Sequence, residues 1–130
     1  MKKILIVEDD QKIAKGLAIR LKAAGYQTSL AFDALAGVAM ALKDRPDLVI
    51  LDISMPAGDG FLVADRIQSL IPSPTPIIFM TASRQAGFQE RAEGLGAVGY
   101  FEKPYRAECV LTAIQRALGE SAGWTESVRI

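Results

Sequence analysis

The chain has 130 residues, 50% hydrophobic and 23% charged, a composition that fits one globular domain and excludes intrinsic disorder. Fifteen Lys and Arg balance fifteen Asp and Glu with no basic stripe, so direct nucleic-acid binding by this chain is not expected. Histidine is absent, which removes His-based triads, His zinc sites and His general bases together.

In chain order, Ile4–Val7 reads as a buried strand that ends in the acids Glu8-Asp9-Asp10. Gln11–Ala24 has Ile13, Leu17 and Leu21 on one face, the spacing of an amphipathic helix, and Gly25 closes it. A strand over Gln27–Ala31 and a helix over Ala34–Lys43 follow, the helix stopping before Pro46. Leu48–Leu51 is a third apolar strand and ends at Asp52. Asp59–Leu70 reads as helix and residues 71–76 as a proline-rich loop. The remaining elements are a strand at Ile77–Met80, a helix at Arg84–Glu93, a strand at Val98–Phe101 and a helix at Tyr105–Leu118. Gly119–Ile130 is a polar tail, read as ordered, either a natural terminus or the start of a linker; its Trp124 is too isolated to interpret. The domain proper is therefore placed at residues 1–119 and the tail at 120–130.

Five βα repeats predict an α/β, doubly wound (βα)5 fold: a five-stranded parallel sheet of order 2-1-3-4-5, with helices on both faces. In such a sheet the ligand site lies beyond the carboxyl ends of strands 1 and 3. Lone Cys109 cannot form an internal disulfide, the opening apolar run is too short for a signal peptide, and no segment approaches a membrane span. A cytoplasmic location with no membrane contact is expected.

Several chemically capable residues fall on that one edge: Glu8-Asp9-Asp10, Asp52, Thr81 and Lys103. Individually each has a plain structural reading. Asp10 or Thr81 could cap the following helix, and Lys103 could be a solvated loop residue. Collectively, crowded carboxylates repel and call for a cation. Glu8, Asp9 and Asp52 are hard oxygen ligands suited to magnesium, while Lys103 offers a compact positive charge and Thr81 a hydroxyl. That set suits phosphoryl transfer to a carboxylate nucleophile.

The stretches Ile4-Leu5-Ile6-Val7-Glu8-Asp9-Asp10, Leu48-Val49-Ile50-Leu51-Asp52-Ile53-Ser54-Met55-Pro56 with Gly60, Met80-Thr81-Ala82 and Gly99-Tyr100-Phe101-Glu102-Lys103-Pro104 stand out jointly. In order and spacing they resemble the receiver domain of two-component response regulators, over Lys2 to Leu118. The resemblance implies a flavodoxin-like fold. It also implies that Asp52 is the phosphoacceptor, that Glu8, Asp9, Asp52 and the Ser54 carbonyl hold Mg2+ (or Mn2+), and that Lys103 contacts the phosphoryl oxygens. Thr81 and Tyr100 stand at the switch positions, whose movement would reshape the surface of the fourth strand, fourth helix and fifth strand. Outside that motif, the favoured reading of Tyr100 is an amphipathic edge-strand residue with no switching role. The Lys103-Pro104 bond is either cis, as the resemblance implies, or a trans bond opening the last helix.

The implied partners are a sensor histidine kinase or histidine phosphotransfer protein docking near Gln11–Ala24, a downstream protein target or output domain, and a second copy of the chain on phosphorylation. The chain would be a phosphoacceptor signalling domain and not an enzyme, catalysing only its own phosphorylation and dephosphorylation. Ser54 and Ser83 stand at the two flanking positions that, by the resemblance, influence water access to the acyl phosphate; both are small and uncharged, which predicts a lifetime of minutes. An aspartyl-phosphate hydrolase of the haloacid-dehalogenase kind would need a second Asp where Ser54 stands. A receiver-like fold without the chemistry is the stronger rival. Met40, Met55 and Met80 read as core or site-lining filler, and Cys109 as packing.

Overall fold

The structure, a computed structural model, describes residues 1–55 and 58–119. Its elements in order are β1 (Lys3–Val7), α1 (Gln11–Ala23), β2 (Gln27–Ala31), α2 (Ala34–Asp44), β3 (Leu48–Asp52), β4 (Ser54–Met55), β5 (Gly58–Asp59), α3 (Gly60–Leu70), β6 (Ile77–Thr81), α4 (Phe88–Gly94), β7 (Gly99–Glu102) and α5 (Ala107–Ala117). Five strands form one parallel sheet in the order β2-β1-β3-β6-β7, which is the expected 2-1-3-4-5 arrangement. Trp124 and the rest of the proposed tail, residues 120–130, lie outside the described residues.

Strand side chains alternate between faces, and both faces are covered. Ile4, Ile6, Leu48, Ile50, Ile78 and Met80 meet α1 and α5 through Leu17, Leu21, Val110 and Ile114. Leu5, Val7, Val49, Leu51 and Phe79 meet α2, α3 and α4 through Ala41, Phe61, Ile67 and Ala92. Met55 and Met80 are buried and Met40 packs at the edge of the second cluster, so all three methionines serve the core. Cys109 is an exception to expectation. It is exposed, because α5 turns Val110 and Ile114 inward and leaves position 109 on the outer face.

Three local differences from the sequence reading have physical causes. A two-stranded antiparallel hairpin, β4 with β5, intervenes between Asp52 and α3. Asp59 then becomes the N-cap of α3 and not its first residue, its side chain accepting the Phe61 N–H at 2.8 Å. Helix α4 begins at Phe88, four residues later than Arg84, because the Gln85 N–H is engaged by the Ser83 Oγ and Gly87 takes a left-handed φ of 90° immediately before the helix. Helix α5 begins at Ala107, since Arg106 is extended and Tyr105 packs against the α1–α5 core. Among the described residues, no helix is long and apolar enough to cross a membrane.

Candidate functional site at the carboxyl edge of the sheet

Parallel register carries four strand ends to one edge. Glu8 follows β1, Asp52 ends β3, Thr81 ends β6, and Lys103 follows β7. Backbone bonds continue just past the strands: the N–H groups of Glu8, Ile53 and Lys103 donate to the carbonyls of Ala31, Met80 and Thr81 at 3.0, 2.9 and 2.8 Å. The site residues are therefore held by the sheet and not by free loop.

Glu8 and Thr81 are fully buried and Asp52 is 2% exposed. Buried carboxylates require partners, and each of these has two. Lys103 Nζ lies 2.5 Å from Glu8 Oε1 and 3.2 Å from Asp52 Oδ2. The other oxygens accept backbone N–H groups, Glu8 Oε2 from Asp10 and Asp52 Oδ1 from Ser54, both at 3.1 Å. One ammonium thus faces two buried carboxylates, and Asp9, half-buried, brings a third to the same point. Ligand oxygens of Glu8, Asp9 and Asp52 lie within 4.8 Å of one another.

The electrostatics reflect this surplus of negative charge. Burial pushes the Glu8 carboxyl up from 4.5 to about 7, with the Asp52 charge adding to the effect and the bonds from Lys103 and Asp10 opposing it. For Lys103, burial alone would favour the neutral amine. The hydrogen bond to Glu8 and the charges of Asp52 and Glu8 outweigh burial and hold the ammonium above its ordinary value. Oxygen-only donors, two of them deeply buried, with surplus negative charge fit a hard divalent cation.

The ambiguities left by the sequence resolve by position. Asp10 is the N-cap of α1, its Oδ1 accepting from the Lys12 and Ile13 N–H groups at 2.9 and 3.1 Å, and it stands apart from the acidic cluster. Thr81 is no helix cap. It ends a strand, and its Oγ1 accepts the Ser83 N–H at 2.9 Å. Ser54 reaches the site through its N–H. Tyr100 is half-buried against the α3–α4 cluster, opposite Phe79 in the strand register. The Lys103-Pro104 bond is cis.

Tyr105 is a neighbour that the sequence reading passed over as the start of a helix. Burial, with smaller contributions from Glu8 and Asp52, pushes its phenol above the ordinary value, with Lys103 opposing. It lines a groove of about 570 Å3 running from Lys103 along α1 past Lys12, Ile13, Leu17 and Arg20. Aromatic character directly after Lys-Pro was the available signal.

Comparison with known proteins agrees with this geometry. The model of the response regulator receiver domain matches residues 4–115. The transcriptional regulatory protein YxdJ of Bacillus subtilis is 40% identical over 126 residues, covering 94% of this chain and 54% of that protein. The transcriptional regulatory protein PdtaR of Mycobacterium tuberculosis is 36% identical over 118 residues, covering 90% and 57%. The chain thus spans about half the length of the curated relatives it matches. Among solved structures, a CheY-like receiver domain protein from Methanospirillum hungatei superposes with a TM-score of 0.86 at 28% identity, covering 92% of this chain and 95% of the other. The non-phosphorylated HemR receiver domain of Leptospira biflexa gives 0.82 at 30% identity, covering 91% and 94%. With the sheet order, the acidic cluster and the strand-end lysine already in place, these matches show that the chain belongs to the response regulator receiver-domain family.

Proposed function

We propose that Asp52 accepts a phosphoryl group from the phosphohistidine of a partner kinase or phosphotransfer protein, and that this residue is the chain's signalling input. The observation that carries the reading is Lys103 Nζ in contact with both Asp52 and Glu8 on a buried edge that Asp9 also joins. An Asp52 carboxylate oxygen attacks phosphorus and forms a mixed anhydride. The phosphorus–nitrogen bond to the donor imidazole breaks, and that nitrogen leaves with the electron pair. Lys103 sits where it can neutralise charge on the transferring oxygens. Glu8, Asp9 and Asp52, with the Ser54 carbonyl, would hold Mg2+ (or Mn2+), which when bound supplies charge stabilisation to the phosphoryl oxygens.

The Thr81 hydroxyl already accepts the Ser83 N–H, so its own hydrogen is free to donate to an oxygen on Asp52. A phosphoryl group adds about −1.5 to −2 charge at Asp52 and would draw Thr81 toward it. Tyr100, half-buried beside α4, would follow, and the β6–α4–β7 surface would change shape. Domain catalysis would extend only to this phosphorylation and its reversal. The groove along α1 supports docking of a sensor histidine kinase or histidine phosphotransfer protein there. A downstream target or output domain, and a second copy of the chain, are the partners proposed for the altered surface, since the curated relatives are transcriptional regulators of about twice this length. A cytoplasmic setting is part of the same proposal.

Intact-mass measurement after treatment with a small phosphodonor tests the reading. Wild type with magnesium is expected to gain one phosphoryl group; Asp52→Asn, or wild type in chelator, is expected not to. A chain that stays unlabelled under conditions that label other receivers would instead keep the fold without its chemistry.

A further inference from the structure

Helix α4 is the most weakly embedded of the helices. It has seven residues, Ala92 is its one fully buried member, and Gly87 provides no side-chain cap. The other four helices each bury at least two residues. Besides Ala92, two of its side chains meet the body at one aromatic ring. Phe61, 2% exposed at the start of α3, meets Phe88 edge-on at 5.4 Å between centroids, and meets Phe79 at 5.2 Å with a tilt of 50°. The guanidinium carbon of Arg91 lies 4.4 Å from the centroid of the same ring. Phe88 and Arg91 are three residues apart, hence on one helix face, and together they grip Phe61 from α4.

That ring connects to the site by short steps. Phe61 follows Gly60, whose N–H donates to the Ile53 carbonyl at 2.8 Å, one residue past Asp52. The Phe61 N–H is itself fixed by Asp59. Phe79 lies two residues before Thr81 on the same strand face and opposite Tyr100. Among the described residues no carboxylate stands within salt-bridge distance of Arg91, so its interaction with the ring has no competing ion pair.

We propose that Arg91 acts as a clamp: with Phe88 it holds α4 on Phe61 in the unphosphorylated chain, and so sets how readily the β6–α4–β7 surface rearranges. The second half of this inference rests on the phosphoryl reading above. The first half does not. A guanidinium over a ring at a solvent-facing site shifts such an equilibrium by about two- to five-fold. By linkage, loosening the clamp should strengthen binding of anything that prefers the rearranged state by the same factor.

Hydrogen exchange followed by mass spectrometry on wild type, Arg91→Ala and Arg91→Lys, without metal or phosphodonor, tests the clamp. Residues 88–94 of Arg91→Ala are expected to exchange about two- to five-fold faster, with the sheet unchanged and Arg91→Lys in between. In parallel, beryllofluoride with magnesium, a mimic of the acyl phosphate, is expected to bind Arg91→Ala about two- to five-fold more tightly. Unchanged exchange across α4 overturns the clamp. Faster exchange with unchanged beryllofluoride affinity overturns its coupling to the site. A wild type that binds no beryllofluoride overturns the phosphoryl reading and the coupling with it, while the exchange of α4 still decides the clamp.

Discussion

Gly60 opens α3 with its Cα pressed against the end of β3. A Cβ there would lie 2.4 Å from the Asp52 carbonyl oxygen, 2.6 Å from Ile53 Cα and 3.0 Å from the Asp52 carbonyl carbon. All three are backbone atoms, so no rotamer change can relieve the contact. Reaching ordinary van der Waals distance would require about 1 Å of movement by β3 or α3, and the Gly60 N–H to Ile53 bond at 2.8 Å opposes it. Overpacking of a close-packed interior costs about 1–3 kcal/mol, and a clash confined to backbone belongs at the upper end. Gly60→Ala is therefore expected to lose about 3 kcal/mol, or about 10 °C in Tm for a domain of this size. Gly16, inside α1, is the control: a Cβ there meets nothing within 4 Å. Gly16→Ala should gain about 0.5–1 kcal/mol from helix propensity alone. Urea and thermal unfolding of both variants check the pair. Gly60→Ala should also be labelled more slowly by a phosphodonor, because the displaced backbone carries Asp52. Wild-type stability in Gly60→Ala, or a loss of equal size in Gly16→Ala, would refute the reasoning.

The Glu8 carboxyl, raised from 4.5 to about 7, gives the metal-free chain a pH signature. A folded-state value above the unfolded one means stability fully present below about 4.5 and lost as pH rises through about 7, by up to about 3 kcal/mol. Glu8→Gln in chelator should flatten that decline; an unchanged pH profile of unfolding would count against a proton on Glu8. Asp9 and Asp10 should separate cleanly: Asp10→Ala loses the α1 cap and about 1 kcal/mol while keeping magnesium affinity, whereas Asp9→Asn weakens magnesium with little effect on stability. Magnesium titration and denaturation of both variants check this, and equal metal loss would place Asp10 in the site. The acyl phosphate is expected to last minutes: Ser54 is exposed and carries no charge, and the Ser83 Oγ is engaged by the Gln85 N–H. Timed mass spectra would settle it, and a lifetime of seconds or days would show that another group controls water.

Apolar runs at residues 4–7, 48–51 and 77–80, separated by amphipathic stretches, are readable because burial of both sheet faces demands continuous hydrophobicity. Their order, together with right-handed crossovers, was enough for the sheet and for the edge that would hold the chemistry. Residue type at those strand ends then named Glu8, Asp9, Asp52, Thr81 and Lys103. What sequence could not settle was anything depending on direction or on a distant partner. Asp9 and Asp10 are chemically alike, and only the turn into α1 aims one at the backbone and leaves the other with the cluster. Lys103 and Glu8 are 95 residues apart, and their contact exists because β7 and β1 end on the same edge. Cys109 looked internal by type and lies outside by helical phase. The grip of Arg91 and Phe88 on Phe61 joins two helices with no local signal of each other. Local pattern fixes which element a residue occupies; only the packed chain fixes what its side chain meets.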